Sequence, residues 1–132
     1  DCEPDQALHW LWGPSSNFWP DFCKFRGEQN VAAGKWEAIA SMDNKACCDA
    51  CFPGEKFDYF RSIEFDHPRK TMLLFGPVTV HTVQEQIIRT DDADKSIVGL
   101  VTRVSGVAYA DCFLVAQRAV MTAVRDGTSV RT

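Results

Sequence analysis

What this chain has little of narrows its chemistry early. Its three histidines, His9, His67 and His81, are isolated from one another, so no H-x-x-x-H or H-E-x-x-H motif can assemble a zinc site. Lys and Arg never form a block, and the formal net charge is a mild -4, which argues against a surface that tracks phosphates along a nucleic acid. The longest apolar runs, "TMLLFG" and "CFLVA", fall far short of the ~20 residues that a helix needs to cross a bilayer, so no transmembrane segment is expected. A nucleophile elbow and a Gly-rich phosphate loop are also missing, which removes two large enzyme classes.

Cysteine, by contrast, is plentiful. Cys2, Cys23, Cys47, Cys48, Cys51 and Cys112 form an even set, which reads as a disulfide framework and hence an oxidising compartment, secreted or lumenal. Cys48 and Cys51 make a C-x-x-C that could grip zinc, but no second ligand pair accompanies it, so no metal is expected. Cys47 and Cys48 are adjacent, and joining them to each other would strain the peptide between them, so they are expected to reach different partners. The chain begins at Asp1 without a methionine, as a processed protein would.

At 132 residues and 45% hydrophobic composition, one domain is expected. Residues 1–33 read as an arm and collar, 34–118 as the body and 119–132 as a tail with room for a short helix. In "PDQALHWLW" Leu8, Leu11 and Trp12 share one side of a short helix that ends at "GPSS". "NFWPDFCKFRG" is aromatic and broken by Pro20, so it reads as irregular. All four tryptophans fall within the first 36 residues, and Trp10, Trp12, Phe18, Trp19 and Phe22 are more aromatic surface than such an arm can bury.

From Gly34 the period changes to two. "KWEAIASM" puts Trp36, Ala38, Ala40 and Met42 on one face, and "FDYFRSIEFD" puts Phe57, Tyr59, Ile63 and Phe65 on one face against Asp58, Ser62, Glu64 and Asp66. In "TMLLFGPVTV" Gly76-Pro77 marks a bend or bulge in one long strand or divides two short ones, and "TVQEQIIRT", "SIVGLVTRV" and "YADCFLVAQR" continue the pattern between polar turns. Six or seven short strands in series predict an all-β, up-and-down antiparallel sheet, which would lose its exposed edges by closing into a small barrel. The inward lining would be Ala38, Ala40, Met42, Phe57, Tyr59, Ile63 and Phe65, continued by Met72, Leu74, Ile87, Val98, Leu100, Phe113 and Val115.

Gly34-Lys35-Trp36 at the head of a strand, after a collar and before serial hairpins, resembles the first signature of the lipocalin family over residues 25–120. The resemblance implies an eight-stranded barrel in which Trp36 plugs the closed end and Arg118, from the last strand, lies across the indole. Glu37 stands where the family commonly has an aromatic. "GKWEAIAS" and "KFDYFRSIEF" are also similar to the lipocalin-like domain of the violaxanthin de-epoxidases of the thylakoid lumen.

These readings imply a binding protein for a small apolar molecule such as a pigment, carotenoid, retinoid or lipid, with no certain cofactor. Two alternatives differ in kind. One is an accessory subunit docked on a larger assembly, such as one in a photosynthetic membrane, through Trp10, Trp12, Phe18 and Trp19. The other is a de-epoxidase-like lumenal enzyme, for which Asp58 or Glu64 would have to face the cavity; their alternation with apolar neighbours places them outward instead, so a non-catalytic protein is expected.

Overall fold

The computed structural model describes residues 2–41, 50–68, 79–92 and 94–123. In chain order the elements are α1 (Pro4–Trp12), α2 (Phe18–Phe25), β1 (Gln29–Ala33), β2 (Glu37–Ala38), β3 (Tyr59–Pro68), β4 (Thr79–Asp92), β5 (Lys95–Ser105) and β6 (Val115–Thr122). Short 3-10 turns lie at Ile39–Ser41 and Ala110–Cys112. No helix among the described residues is long and apolar enough to cross a membrane.

The strands form one antiparallel sheet in the order β1-β3-β4-β5-β6, with β2 also paired to β3. β1 and β2 run in turn along the same edge of β3, Ala33 opposite Ile63 and Ala38 opposite Tyr59, and the 34–36 interval separates them. That edge and β6 are not paired to each other, so among the described residues the sheet is open rather than the closed barrel expected from serial hairpins. Helices cover one face instead of curvature closing it.

Alternation works well at the centre. Arg61, Ile63 and Phe65 of β3 are buried while Glu64 between them is exposed, and the ladder places them opposite Gln86, Gln84 and Thr82 of β4. Cys23 of α2 packs with Ile63 and Phe65, and Trp19 and Val31 close around them. On the other face Ile39, Phe52 and Phe57 pack on Ile87, Ile97 and Val101. Gly99 of β5 belongs to this second face, and a Cβ there would come within 2.8 Å of Ile87 and 3.0 Å of Phe52. β5 is therefore covered on both sides, with Ile97 and Val98 fully buried on opposite faces.

Several expected elements differ. The segment expected to be an irregular collar is α2, because Pro20 falls in the first turn, where its missing N–H costs nothing. "KWEAIASM" yields only the two-residue β2, after which the Ile39 N–H turns to the Asp58 carbonyl at 2.9 Å and the Ile39 side chain drops into the second cluster. Phe57 precedes β3 and packs on the face opposite Ile63 and Phe65, so the four aromatic and aliphatic residues expected on one face are divided. "YADCFLVAQR" is broken by Tyr109 at φ 63° and the 3-10 turn, and β6 carries residues 119–122 of the expected tail. Met42, Met72 and Leu74 lie outside the described residues.

Cys2, Cys23, Cys51 and Cys112 are free thiols, in contrast to the expected disulfide framework; Cys47 and Cys48 lie outside the described residues. The sheet itself keeps two of them apart, since Cys23 packs under α2 and Cys51 against the opposite cluster. Burial raises the Cys23 pKa, the Glu28 charge adds to this and Arg26 opposes it. In the native protein a thiol reagent should modify exposed Cys112 quickly and Cys23 only on unfolding. Peptide mapping after unfolding without reductant should find all four described cysteines alkylated, and a disulfide between Cys23 and Cys51 would contradict this packing.

One end of the sheet is tied by side chains. Asn30, at φ 51° where β1 bulges, donates to the Asp66 carboxylate at 2.7 Å, and His81 of β4 meets the other oxygen at 2.9 Å. The Asn30 hydrogen bond first, and the His81 bond second, lower the Asp66 pKa. A depressed folded value means that this contribution to stability is complete above the unfolded value of about 3.9 and fades as pH falls toward the folded one. Replacing Asp66 by Asn should flatten that acid limb in denaturant titrations while leaving its shape near neutrality unchanged.

Candidate functional site

Where the helical cover meets the broken edge of the sheet, a cavity of about 880 Å³ opens. Leu8, His9 and Trp12 of α1 form one wall, the 13–17 connection and Pro20 another, and Gly34, Lys35 and Trp36 the rim between β1 and β2. Tyr59, Arg61 and Ile88 supply the sheet floor, and the ladder sets Tyr59 directly opposite Ile88. The α1 helix reaches this position through Pro4 at its start, a reciprocal Glu3–Gln6 capping box, and Gly13 after Trp12. Beyond it the Ser16 hydroxyl donates to the Trp10 carbonyl and accepts from the Phe18 N–H, which holds the turn into α2.

The floor is polar at one point. Arg61 is 4% exposed, and its Nε donates to Gln86 Oε1 at 2.8 Å. Gln86, fully buried, donates in turn to Gln84 Oε1 at 2.9 Å, and Gln84 reaches the Thr102 hydroxyl at 3.4 Å. The indole of Trp36 lies on the guanidinium, with Arg61 Cζ 4.6 Å from the ring centroid. Burial lowers the Arg61 pKa. Arg61 Nη2 and the indole N–H groups of Trp12 and Trp36 are buried donors without a partner.

The sequence expected an arginine on Trp36, but named the wrong one. Arg118 lies on the opposite face, opposite Gly99, where its Nε donates to Glu55 at 2.9 Å. Two strands separate β6 from β3, so Arg118 cannot reach the indole. Arg61 was legible as a cation at an inward position between Tyr59 and Ile63 in "YFRSIEF", a departure from the alternation that marks a buried charge.

Of the expected lining residues the cavity gathers Tyr59; Gly34 and Trp36, expected as structural residues, also line it. Ile63 and Phe65 lie on the same face of the sheet but under α2, Phe57 is on the other face, and Leu100 is half-buried opposite Gln86. Ala38, Ala40 and Phe113 are exposed. The aromatic arm divides too: Trp12 and Trp19 pack together at 6.0 Å, whereas Trp10 is 61% and Phe18 42% exposed. Asp58 and Glu64 are exposed, as their alternation implied. No group of metal-ligating side chains occurs among the described residues.

The sequence pattern of one known family, the VAD1 Analog of StAR-related lipid transfer domain, or VASt, matches residues 1–132. The chain belongs to the VASt family. No curated protein sequence matches it. Membership in the VASt family stands where the lipocalin and de-epoxidase resemblances were drawn, and neither of those finds support in the match. The open sheet of this VASt domain agrees with its not being a lipocalin barrel.

The clamp on Trp36 is measurable. Trp36→Ala and Arg61→Gln should couple in a double-mutant cycle by more than the ~0.5 kcal/mol typical of separated sites, whereas Trp36→Ala and Arg118→Ala should add. Chemical denaturation of the three single and two double variants checks both, and additivity at Arg61 would mean that the stacking is not what holds the indole.

Proposed function

We propose that this VASt domain binds a lipid or sterol in the cavity between α1, Trp36 and the floor of β3. The observation that carries the reading is the cavity itself: about 880 Å³, walled by Leu8, Trp12, Trp36, Tyr59 and Ile88, with one buried polar side chain on its floor. That volume falls within the range of small-molecule sites, and such walls favour an apolar body by excluding water, at roughly 25 cal/mol per Å² of apolar surface buried. The family's lipid-transfer description supports the same class of ligand. A pigment or carotenoid is a narrower version of this reading, and nothing in the cavity wall singles one out.

A second reading has its own observation. Trp10, Phe18 and Phe25 stand 61%, 42% and 87% exposed on the helical layer, as a surface that docks on a partner would. It predicts an empty cavity in the natively purified protein.

Energy transfer from tryptophan to a fluorescent sterol, or displacement by oleyl alcohol, tests the first reading. Uptake should saturate, and Leu8→Trp, which fills the cavity, should weaken it by about tenfold or more, a loss of roughly 1.4 kcal/mol. Ala40→Phe and Arg118→Ala lie away from the cavity and should leave affinity unchanged. Absence of saturable uptake of the fluorescent sterol, of oleyl alcohol and of oleate would overturn the proposal.

A further inference from the structure

Among the charged residues that line the cavity, Asp5, Lys35 and Arg61, only Arg61 is buried. No carboxylate lies within ion-pair distance of it among the described residues, although Arg26, Arg89, Arg103 and Arg118 each have one. Its contacts are with a neutral amide and an aromatic face. Taking a cation out of water costs several kcal/mol, and neither an amide nor an indole returns what an anion would. Gln86 also cannot shift its carbonyl away easily, because its amide nitrogen is fixed on Gln84.

Among the described residues that line the cavity, the unfilled hydrogen-bonding capacity is of one kind. Arg61 Nη2, Trp36 Nε1 and Trp12 Nε1 are all donors, they belong to three residues of the same cavity, and none has an acceptor. Guanidinium groups favour oxyanions because two N–H bonds can meet two oxygens in one plane. Trp36 now covers the guanidinium from the rim, in the 34–36 interval where the edge strand is interrupted, so an entering head group would have to move the indole.

We infer that the cavity selects a lipid with an anionic oxygen head group, a carboxylate or a phosphate, which Arg61 receives while the apolar body lies along α1 and Tyr59. This rests on the cavity's being the lipid site proposed above and adds which end chemistry it takes. No bond is made or broken; the head group supplies the counter-ion that the sheet floor lacks. The indole on Arg61 is displaced on entry, and its fluorescence reports the event.

The test compares oleate, oleyl phosphate and oleyl alcohol, which share a chain and differ in the head. The wild-type protein should bind one or both acids at least about tenfold more tightly than the alcohol, since each tenfold step is ~1.4 kcal/mol and charge-assisted hydrogen bonds are worth more than that when desolvated. The two acids against each other distinguish a carboxylate from a phosphate site. Arg61→Gln should lower acid affinity far more than alcohol affinity and so abolish the preference, and Arg61→Lys should retain part of it. Acid, but not alcohol, should shift the Trp36 emission, with Trp36→Phe as the control. If the wild-type protein binds all three probes equally, the inference is overturned and the lipid reading stands. If Arg61→Gln keeps the acid preference, another cation is responsible and the inference is likewise overturned. If no probe binds, both fail together. The wild-type comparison needs no variant to fold.

Discussion

The arrangement turns on a cation held inside the helix-covered face of an open sheet. Arg61 occupies an inward position of β3, the first of the buried alternate residues Arg61, Ile63 and Phe65. A guanidinium there needs a flat partner and an acceptor at once. Trp36 provides the first from the interrupted edge and Gln86 the second from β4, so one side chain joins the sheet's edge to its centre. The chain Gln86–Gln84–Thr102 extends the polar line to β5 and fixes the amide's orientation.

The remaining architecture follows from burying two unlike faces. The helical layer covers the face that carries this polar line, Ile63 and Phe65, with Cys23 and Trp19 filling the contact. The segment carrying Phe52 and Phe57 covers the other, which is apolar and tight enough to require glycine at position 99. Because α2 seats on Ile63 and Phe65 and α1 reaches toward β5, the cover is incomplete beside Tyr59 and Ile88, and the cavity is what remains. Its walls are therefore helix, rim and sheet rather than the inside of a barrel.

Much of this was legible in the residues, and the failures share a cause. The 4–12 helix, the alternation of β3 and the serial hairpins of β4 and β5 are local patterns, and they read correctly because neighbouring residues suffice to set them. The aromatic stacking of an arginine on Trp36 was right as chemistry and wrong in its residue, since which cation reaches an indole depends on strand order. Phe57 was assigned the wrong face because its strand starts two residues later, and a period of two carries no mark of where pairing begins. Of the cavity lining the sequence reading supplied Tyr59, named Gly34 and Trp36 for a structural role instead, and missed Arg61, while counting Ala38, Ala40 and Phe113 as inward.

By itself the sequence determined a predominantly antiparallel β domain with a helical start, an apolar strand face and a tryptophan at the first edge, all consequences of residue spacing within a few positions. Tertiary structure alone decided that the sheet stays open, that α1 and α2 close one face, and that the cation beneath Trp36 is Arg61 rather than Arg118. The physical reason is separation along the chain. Trp36 and Arg61 are brought together only when β1 and β2 have paired along β3, and the indole N–H of Trp12 joins their cavity only when α1 has packed against α2 and β5. No local pattern encodes a site whose parts are held by three such long-range contacts.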